Sequence, residues 1–305
     1  MYKYFLIFLI ILGSISGCST NNSINIGLDY IPNTNHIGIY VAKELGYYGD
    51  LNVNIIKSGD ISVETLIDQQ QLDVGFSYSE NVLQAINSNL KVQSNYAIFN
   101  HNSSALISKK DKNIISINDL INKTYCGWGS EFEQKLLESF VGEKIYNTMQ
   151  IKTTTTDFIN SPDSCDIFWI YEGWTDVYST LNNIEYNIIP LNNIDFYTPV
   201  IISNPTIDNK NLYLFFKKTA EGYNYAKNNP QHATEIFLKY NPEYDYNFIF
   251  NSLEKIKSNI NSSGYQNPDI WNNFINYCYK YNLIDNNIDN PYTNKYINGE
   301  NNANN

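Results

Sequence analysis

Three short segments hold the side chains from which this chain's chemistry must be built. The first is Tyr30-Ile31-Pro32-Asn33-Thr34-Asn35-His36, between an alternating strand (Ile24, Ile26, Leu28) and an apolar-striped helix over Ile37–Leu45. A loop at the carboxyl end of a strand is where α/β domains bind small molecules, and this one offers an aromatic face at Tyr30, the Asn33 amide and the His36 imidazole. The second is Gly127-Trp128-Gly129-Ser130-Glu131-Phe132-Glu133. Gly127 and Gly129 let the backbone approach a bound group, Trp128 presents an indole between them, and Ser130 is placed to cap a helix with Glu133 completing a capping box. A phosphate at that helix start is disfavoured, because Glu131 and Glu133 flank it and no basic residue comes before Lys135. The third is Phe168-Trp169-Ile170-Tyr171-Glu172-Gly173-Trp174. Strand periodicity puts Trp169 and Tyr171 on one face, with Glu172 at the strand end and Trp174 where a helix begins. A carboxylate among rings is costly to leave alone, so Glu172 is expected to meet an amino-heterocycle, accepting from its amine or, when protonated, donating to a ring nitrogen.

Two weaker segments complete the set. Ser77-Tyr78-Ser79-Glu80 closes a short strand, and His101-Asn102-Ser103-Ser104 sits where the chain leaves the first half of the fold; Tyr78 and His101 are candidates for the opposite wall of a pocket. No Gly-x-Ser-x-Gly elbow and no cysteine–histidine or carboxylate pair with catalytic spacing is present. Binding without turnover is therefore expected, with no cofactor. His36, His101 and His232 are too scattered to suggest a metal motif. The net charge of −11 disfavours nucleic acid as a partner, and the absence of arginine removes the guanidinium clamp commonly used for carboxylates and phosphates.

Residues 1–17 have the form of a secretion signal: one lysine, then an apolar run too short to span a bilayer. Ile15-Ser16-Gly17-Cys18 matches the site cut by lipoprotein signal peptidase, so Cys18 is expected to carry a lipid and residues 18–23 to form a tether. Cys126, Cys165 and Cys278 remain; their odd number and spacing argue against a disulfide framework or zinc site and leave at most one pair to oxidise outside the cell, which is disfavoured. From residue 24 strands and helices alternate, predicting a two-lobed α/β protein. Lobe 1 is expected over 24–100 and 204–284, and lobe 2 over 101–203. Two crossing strands would act as the hinge, Phe196–Ser203 being the return strand. Strands are also expected at Tyr125–Cys126, Met149–Thr153, Asp166–Ile170 and Asn187–Ile189. Residues 285–305, rich in Asn, Asp and Tyr, are expected to form a flexible tail.

The Pro-Asn-Thr-Asn-His loop, Gly-Trp-Gly-Ser, Tyr-Glu-Gly-Trp and Phe-Tyr-Thr-Pro-Val, in this order, resemble the bacterial thiamine-precursor binding lipoproteins of ABC importers, within the wider family that includes the eukaryotic thiamine-pyrimidine synthases. The resemblance spans residues 24–284. It implies a type II periplasmic-binding-protein fold, a permease partner, a monomer held at the membrane by its lipid, and the ligand N-formyl-4-amino-5-aminomethyl-2-methylpyrimidine. The synthase branch sacrifices a histidine and holds pyridoxal phosphate on a lysine; the matching stretch, Asp73 to Asn81, contains neither residue type. Tyr30 stands where the family usually has tryptophan. On this resemblance Glu172 meets the aminopyrimidine edge, and Tyr30, Trp128, Tyr171 or Trp174 sandwich the ring. Asn33, His36 and the Gly127–Ser130 backbone hold its remaining polar atoms. The alternatives are a receptor for another small heterocycle or a sulfonate, and a pyrimidine-precursor synthase.

Overall fold

The computed structural model describes residues 22–57, 59–127, 129–142, 158, 165–286 and 288–297. Cys18, the signal segment, Trp128 and the expected strand at Met149–Thr153 lie outside the described residues. Two sheets form the frame. The first has the order β2-β1-β3-β9-β4, with β1 Ser23–Gly27, β2 Asn52–Ile56, β3 Val74–Ser77, β4 Gln93–Ala97 and β9 Val200–Ser203. Here β1 runs parallel to β2 and β3, while β9 is antiparallel to both β3 and β4. The second has the order β6-β7-β5-β8, with β5 Ser104–Lys109, β6 Tyr125–Cys126, β7 Ile167–Tyr171 and β8 Tyr186–Pro190. The expected crossing after residue 100 thus leads into a full strand, β5, paired antiparallel with both β7 and β8. Of the expected return strand, only Val200–Ser203 pairs in a sheet.

Parallel neighbours in the first sheet need crossover helices, and the sequence supplies them: α1 Ile37–Glu44, α2 Val63–Asp68 and α3 Ser79–Asn87. In lobe 2, α4 Glu131–Val141 follows β6 and α5 Thr175–Leu181 follows β7. After β9 the chain is helical: α6 Asn211–Asn228, α7 Pro230–Tyr240, α8 Tyr246–Ile256 and α9 Pro268–Lys280. Their ends carry recognisable stops and starts. The Asp245 and Asn267 side chains accept from the N–H groups of Phe248 and Asp269, and Pro230 and Pro268 occupy first-turn positions where no N–H is needed. Among the described residues no helix is long and apolar enough to cross a membrane.

One core lies under the first sheet, where Ile24, Ile26, Val74 and Phe76 meet α1, α6, α7 and α8. The second joins β5 and β7 to α4, α9 and the crossing segment through Leu106, Trp169, Phe196 and Phe274. The two crossing segments are pinned to each other. Ser103 N–H donates to Thr198 Oγ1 at 2.9 Å, Asn102 N–H to Asp195 Oδ1 at 2.9 Å, and Ile98 N–H to the Pro199 carbonyl at 3.0 Å.

Two expectations need correction. Cys126 and Cys165 form a disulfide, their Cα atoms 5.8 Å apart. The odd count missed it because β6 and β7 are neighbouring parallel strands, which bring residues 39 apart in sequence together, while Cys278 is buried in α9. The tail is not free over its described part. Ser94 N–H donates to the Pro291 carbonyl, Thr293 N–H donates to the Ser94 carbonyl, both at 2.8 Å, and Tyr292 stacks on Trp271. The edge strand β4 has backbone groups to satisfy, and the tail tyrosines bring apolar faces that composition alone does not reveal.

The α1–α6 contact rests on a close backbone approach. A Cβ on Gly222 would lie 2.1 Å from the Gly38 carbonyl oxygen and 2.9 Å from Ala42 Cβ. The obstructing oxygen is backbone and cannot rotate away, so Gly222→Ala should force the helices apart. The expected loss is about 1–3 kcal/mol, read as a lower urea midpoint at unchanged slope; an unaltered midpoint would show slack between the helices.

Candidate functional site

A cavity of about 390 Å³ opens between the two sheets. Lobe 1 contributes the loop after β1 (Asp29, Tyr30, Asn33, Thr34), the start of α2 (Glu64), and the β3–α3 junction (Tyr78, Glu80, Asn81). Lobe 2 contributes Ser130 and Glu133 of α4 and the end of β7 (Trp169, Tyr171, Glu172, Trp174). Tyr78, just after β3, and Tyr171, at the end of β7, meet across the cleft.

The loop after β1 is built by its own side chains. Asn33 Oδ1 accepts from Asn35 N–H at 2.9 Å, and Asn33 N–H donates to His36 Nδ1 at 3.2 Å. That bond leaves the imidazole proton on Nε2, which donates to Asp29 Oδ1 at 2.7 Å. Asp29 Oδ2 in turn accepts from the Tyr78 hydroxyl. Burial pushes the Asp29 carboxyl up, but the hydrogen bonds from His36 and from the Tyr78 hydroxyl outweigh it and hold the group below its usual range. His36 is fully buried and does not line the cavity; it orients Asp29 and the loop.

Tyr78 stacks on Tyr171 with ring centroids 4.5 Å apart and planes 11° from parallel. The stack joins the lobes and occupies one face of Tyr171. The Tyr171 hydroxyl donates to Glu80 Oε1 at 3.2 Å. Burial raises the Glu80 carboxyl to about 8; its own backbone N–H and the Tyr171 hydroxyl oppose the rise, while Glu133 and Glu64 add to it. Two more carboxyls are held by hydroxyls: Ser77 Oγ donates to Glu64 at 2.5 Å, and the Tyr125 hydroxyl donates to Glu133.

Of the residues expected from sequence, Tyr30, Asn33, Tyr78, Ser130, Tyr171, Glu172 and Trp174 line the cavity. Four do not, and Trp128 lies outside the described residues. His36 lies beneath the floor. His101 is exposed at the crossing, its Nδ1 2.7 Å from Asp195 Oδ2. Gly127 and Gly129 are not in the wall; a Cβ on Gly127 would collide with the Tyr125 hydroxyl and Glu133 Oε1, so this glycine makes room for their hydrogen bond. Glu172 lines the outer part of the cavity. Its side chain is 35 % exposed and 3.6 Å from Lys255 Nζ of α8, at the rim. Sequence reading missed Asp29, Glu64, Glu80, Glu133 and Trp169, although Asp29 directly precedes Tyr30 of the first segment it singled out and Glu80, Glu133 and Trp169 stand inside others.

A two-lobed cleft with crossing segments and a ligand-sized cavity defines a periplasmic-binding-protein fold, and solved structures agree. The alkanesulfonate-binding protein of Xanthomonas axonopodis pv. citri, bound to MOPS, superposes with a TM-score of 0.67 at 8 % identity, covering 87 % of this chain and 95 % of that one. A Candida albicans gene product described as having the generic periplasmic binding protein fold gives 0.67 at 14 % identity, covering 88 % and 93 %. Residues 33–233 match the family model described as NMT1/THI5 like, and the chain belongs to that family. A Haemophilus influenzae protein named for thiamine biosynthesis is 22 % identical over 237 residues, 72 % of this chain and 74 % of its own length.

Glu80 also couples stability to pH. Its folded carboxyl titrates near 8 against an ordinary value of 4.5, so the unfolded chain loses this proton first. The stabilising contribution is present below about pH 4.5 and is lost as pH rises toward 8. The melting temperature of the protein should therefore fall between pH 5 and 8 relative to Glu80→Gln, by about 5 °C or more; parallel curves for the two proteins would refute the assignment.

Proposed function

We propose that this chain is the extracytoplasmic substrate-binding component of an ABC importer. Its cargo is a thiamine-precursor pyrimidine, N-formyl-4-amino-5-aminomethyl-2-methylpyrimidine, which it binds and releases unaltered. One observation carries the reading: the described cavity wall combines aromatic faces with six acidic side chains (Asp29, Asp60, Glu64, Glu80, Glu133, Glu172) and has no lysine, arginine or histidine. An anion would meet like charge on every side. A flat, uncharged ring with amine donors has both stacking partners and acceptors there. The family match and the thiamine-biosynthesis relative support the same cargo.

In this reading the ring enters from the rim, where Tyr30, Glu172 and Trp174 stand, and passes to the deeper carboxyls. Trp174 is held edge-on by Phe248, with centroids 4.6 Å apart, and Glu172 by Lys255, so both rim groups depend on α8 of the other lobe. Cys18 carries the lipid that keeps the receptor near its permease, and the receptor works as a monomer.

Titration calorimetry of the soluble domain separates the candidate cargoes. The formylaminopyrimidine should bind with a dissociation constant of about 1 μM or tighter, and methanesulfonate should give no heat. Sulfonate binding without pyrimidine binding would overturn the proposal. Pyrimidine newly formed on incubation with pyridoxal phosphate and iron would mark a synthase instead. For the anchor, Cys18→Ser in the full chain should shift the protein from the membrane to the soluble fraction; persistent membrane retention would refute lipidation at Cys18.

A further inference from the structure

Two polar atoms of the cavity wall are buried without a hydrogen-bond partner: Glu80 Oε2 and Trp169 Nε1. Glu80 is 7 % exposed and Trp169 2 %. Buried polar groups are rarely left so, and a carboxyl oxygen and an indole N–H are among the costlier to abandon. Their neighbours on the same wall are already engaged. Asp29 is held by His36 and Tyr78, Glu64 by Ser77, and Glu133 by Tyr125. Glu172, at the rim, faces Lys255.

Resting on the aminopyrimidine reading above, we propose that Glu80 is the residue that recognises the edge of the ligand formed by a ring nitrogen and its neighbouring exocyclic amine. Trp169 Nε1 donates to an acceptor on the same ligand. The hydrogen-bond pattern already present fixes the roles of the two Glu80 oxygens. The Tyr171 hydroxyl donates to Oε1, marking it as the carbonyl-like acceptor. A neutral carboxyl then carries its proton on Oε2, the oxygen without a partner. It offers a donor for the ring nitrogen on Oε2 and a second lone pair for the amine on Oε1.

The surroundings favour that neutral form. Glu133 of α4 and Glu64 of α2 push Glu80 up and the Tyr171 hydroxyl of β7 opposes them, while Glu80 itself raises Tyr171, Tyr78 beside α3 and Cys278 of α9, and Asp29 also raises Tyr78. Burial raises the two phenols and the thiol above their ordinary values, so they stay uncharged while Glu80 titrates near 8. Above that pH a carboxylate would face the lone pair of the ring nitrogen.

The test uses 4-amino-5-hydroxymethyl-2-methylpyrimidine and, as a probe without the amine, 2-methylpyrimidine, titrated by calorimetry from pH 7 to 9.5. Affinity of the unsubstituted protein for the aminopyrimidine should be level near pH 7 and fall about tenfold per unit above pH 8. 2-Methylpyrimidine should bind at least about tenfold more weakly at pH 7. Glu80→Gln keeps one donor and one acceptor, so it should stay within about tenfold at pH 7 and lose the alkaline fall, whereas Glu80→Leu should lose about 100-fold or more. Trp169→Phe should weaken binding about tenfold with the pH profile unchanged. Glu80→Leu binding as well as the unsubstituted protein would overturn the proposal. So would a flat profile to pH 9.5 in the unsubstituted protein, which needs no variant to fold. A protein that binds neither pyrimidine at any pH would instead remove the aminopyrimidine reading itself, and this proposal with it.

Discussion

Uncompensated acid is the constraint on which the cleft is organised. Asp29, Glu64, Glu80 and Glu133 are brought to one cavity whose described wall has no cationic side chain. Buried carboxyls cannot all stay ionised without partners. Each is therefore held by a hydroxyl, an imidazole or a proton: Asp29 by His36 and Tyr78, Glu64 by Ser77, Glu133 by Tyr125, and Glu80 by Tyr171 together with its raised titration. These partners come from both sheets. Of these bonds the one from Tyr171 to Glu80 passes from one lobe to the other, so satisfying Glu80 also joins the lobes across the cavity.

The lobes are linked in three physically different ways. The crossing segments are tied by backbone and hydroxyl hydrogen bonds between Ile98–Ser103 and Asp195–Pro199. The Tyr78–Tyr171 stack closes the back of the cleft with an apolar contact carrying a polar atom at each end. On the rim, Lys255 of α8 stands 3.6 Å from Glu172 and 3.9 Å from Asp176 of lobe 2. The rim pairs involve the partly exposed Lys255 and contribute little to stability, whereas Ile98, Ser103 and Thr198 of the crossing are buried. Opening of the cleft for a ligand is thus cheapest at the rim and most costly at the crossing, the asymmetry a hinge requires.

The neighbours in structure space bind different cargo on the same frame, as the sulfonate-binding protein from Xanthomonas illustrates. A sulfonate needs donors and positive charge. The lining here is the electrostatic opposite, so kinship of fold does not carry that cargo over to this chain.

Much of the architecture was legible from local pattern. The alternation at Ile24–Leu28, the helix over Ile37–Leu45 and the run Ser77-Tyr78-Ser79 each reappear within a residue or two, because period and capping are encoded by neighbours in the chain. The polar-aromatic loops at Tyr30–His36 and Trp169–Trp174 were legible for the same reason. Sequence by itself could also state that no arginine clamp exists anywhere in the chain. It could not say which carboxyl of each segment turns inward. Glu172 stands out in the sequence because it ends the most aromatic strand, and the packing of α8 holds it beside Lys255. The Cys126–Cys165 bond and the docking of 288–297 on β4 escaped likewise, since both depend on which strands lie side by side. Periodicity and composition are properties of adjacent residues, whereas burial, pairing and proton affinity arise only when distant segments displace water from one another, and that the tertiary structure alone decides.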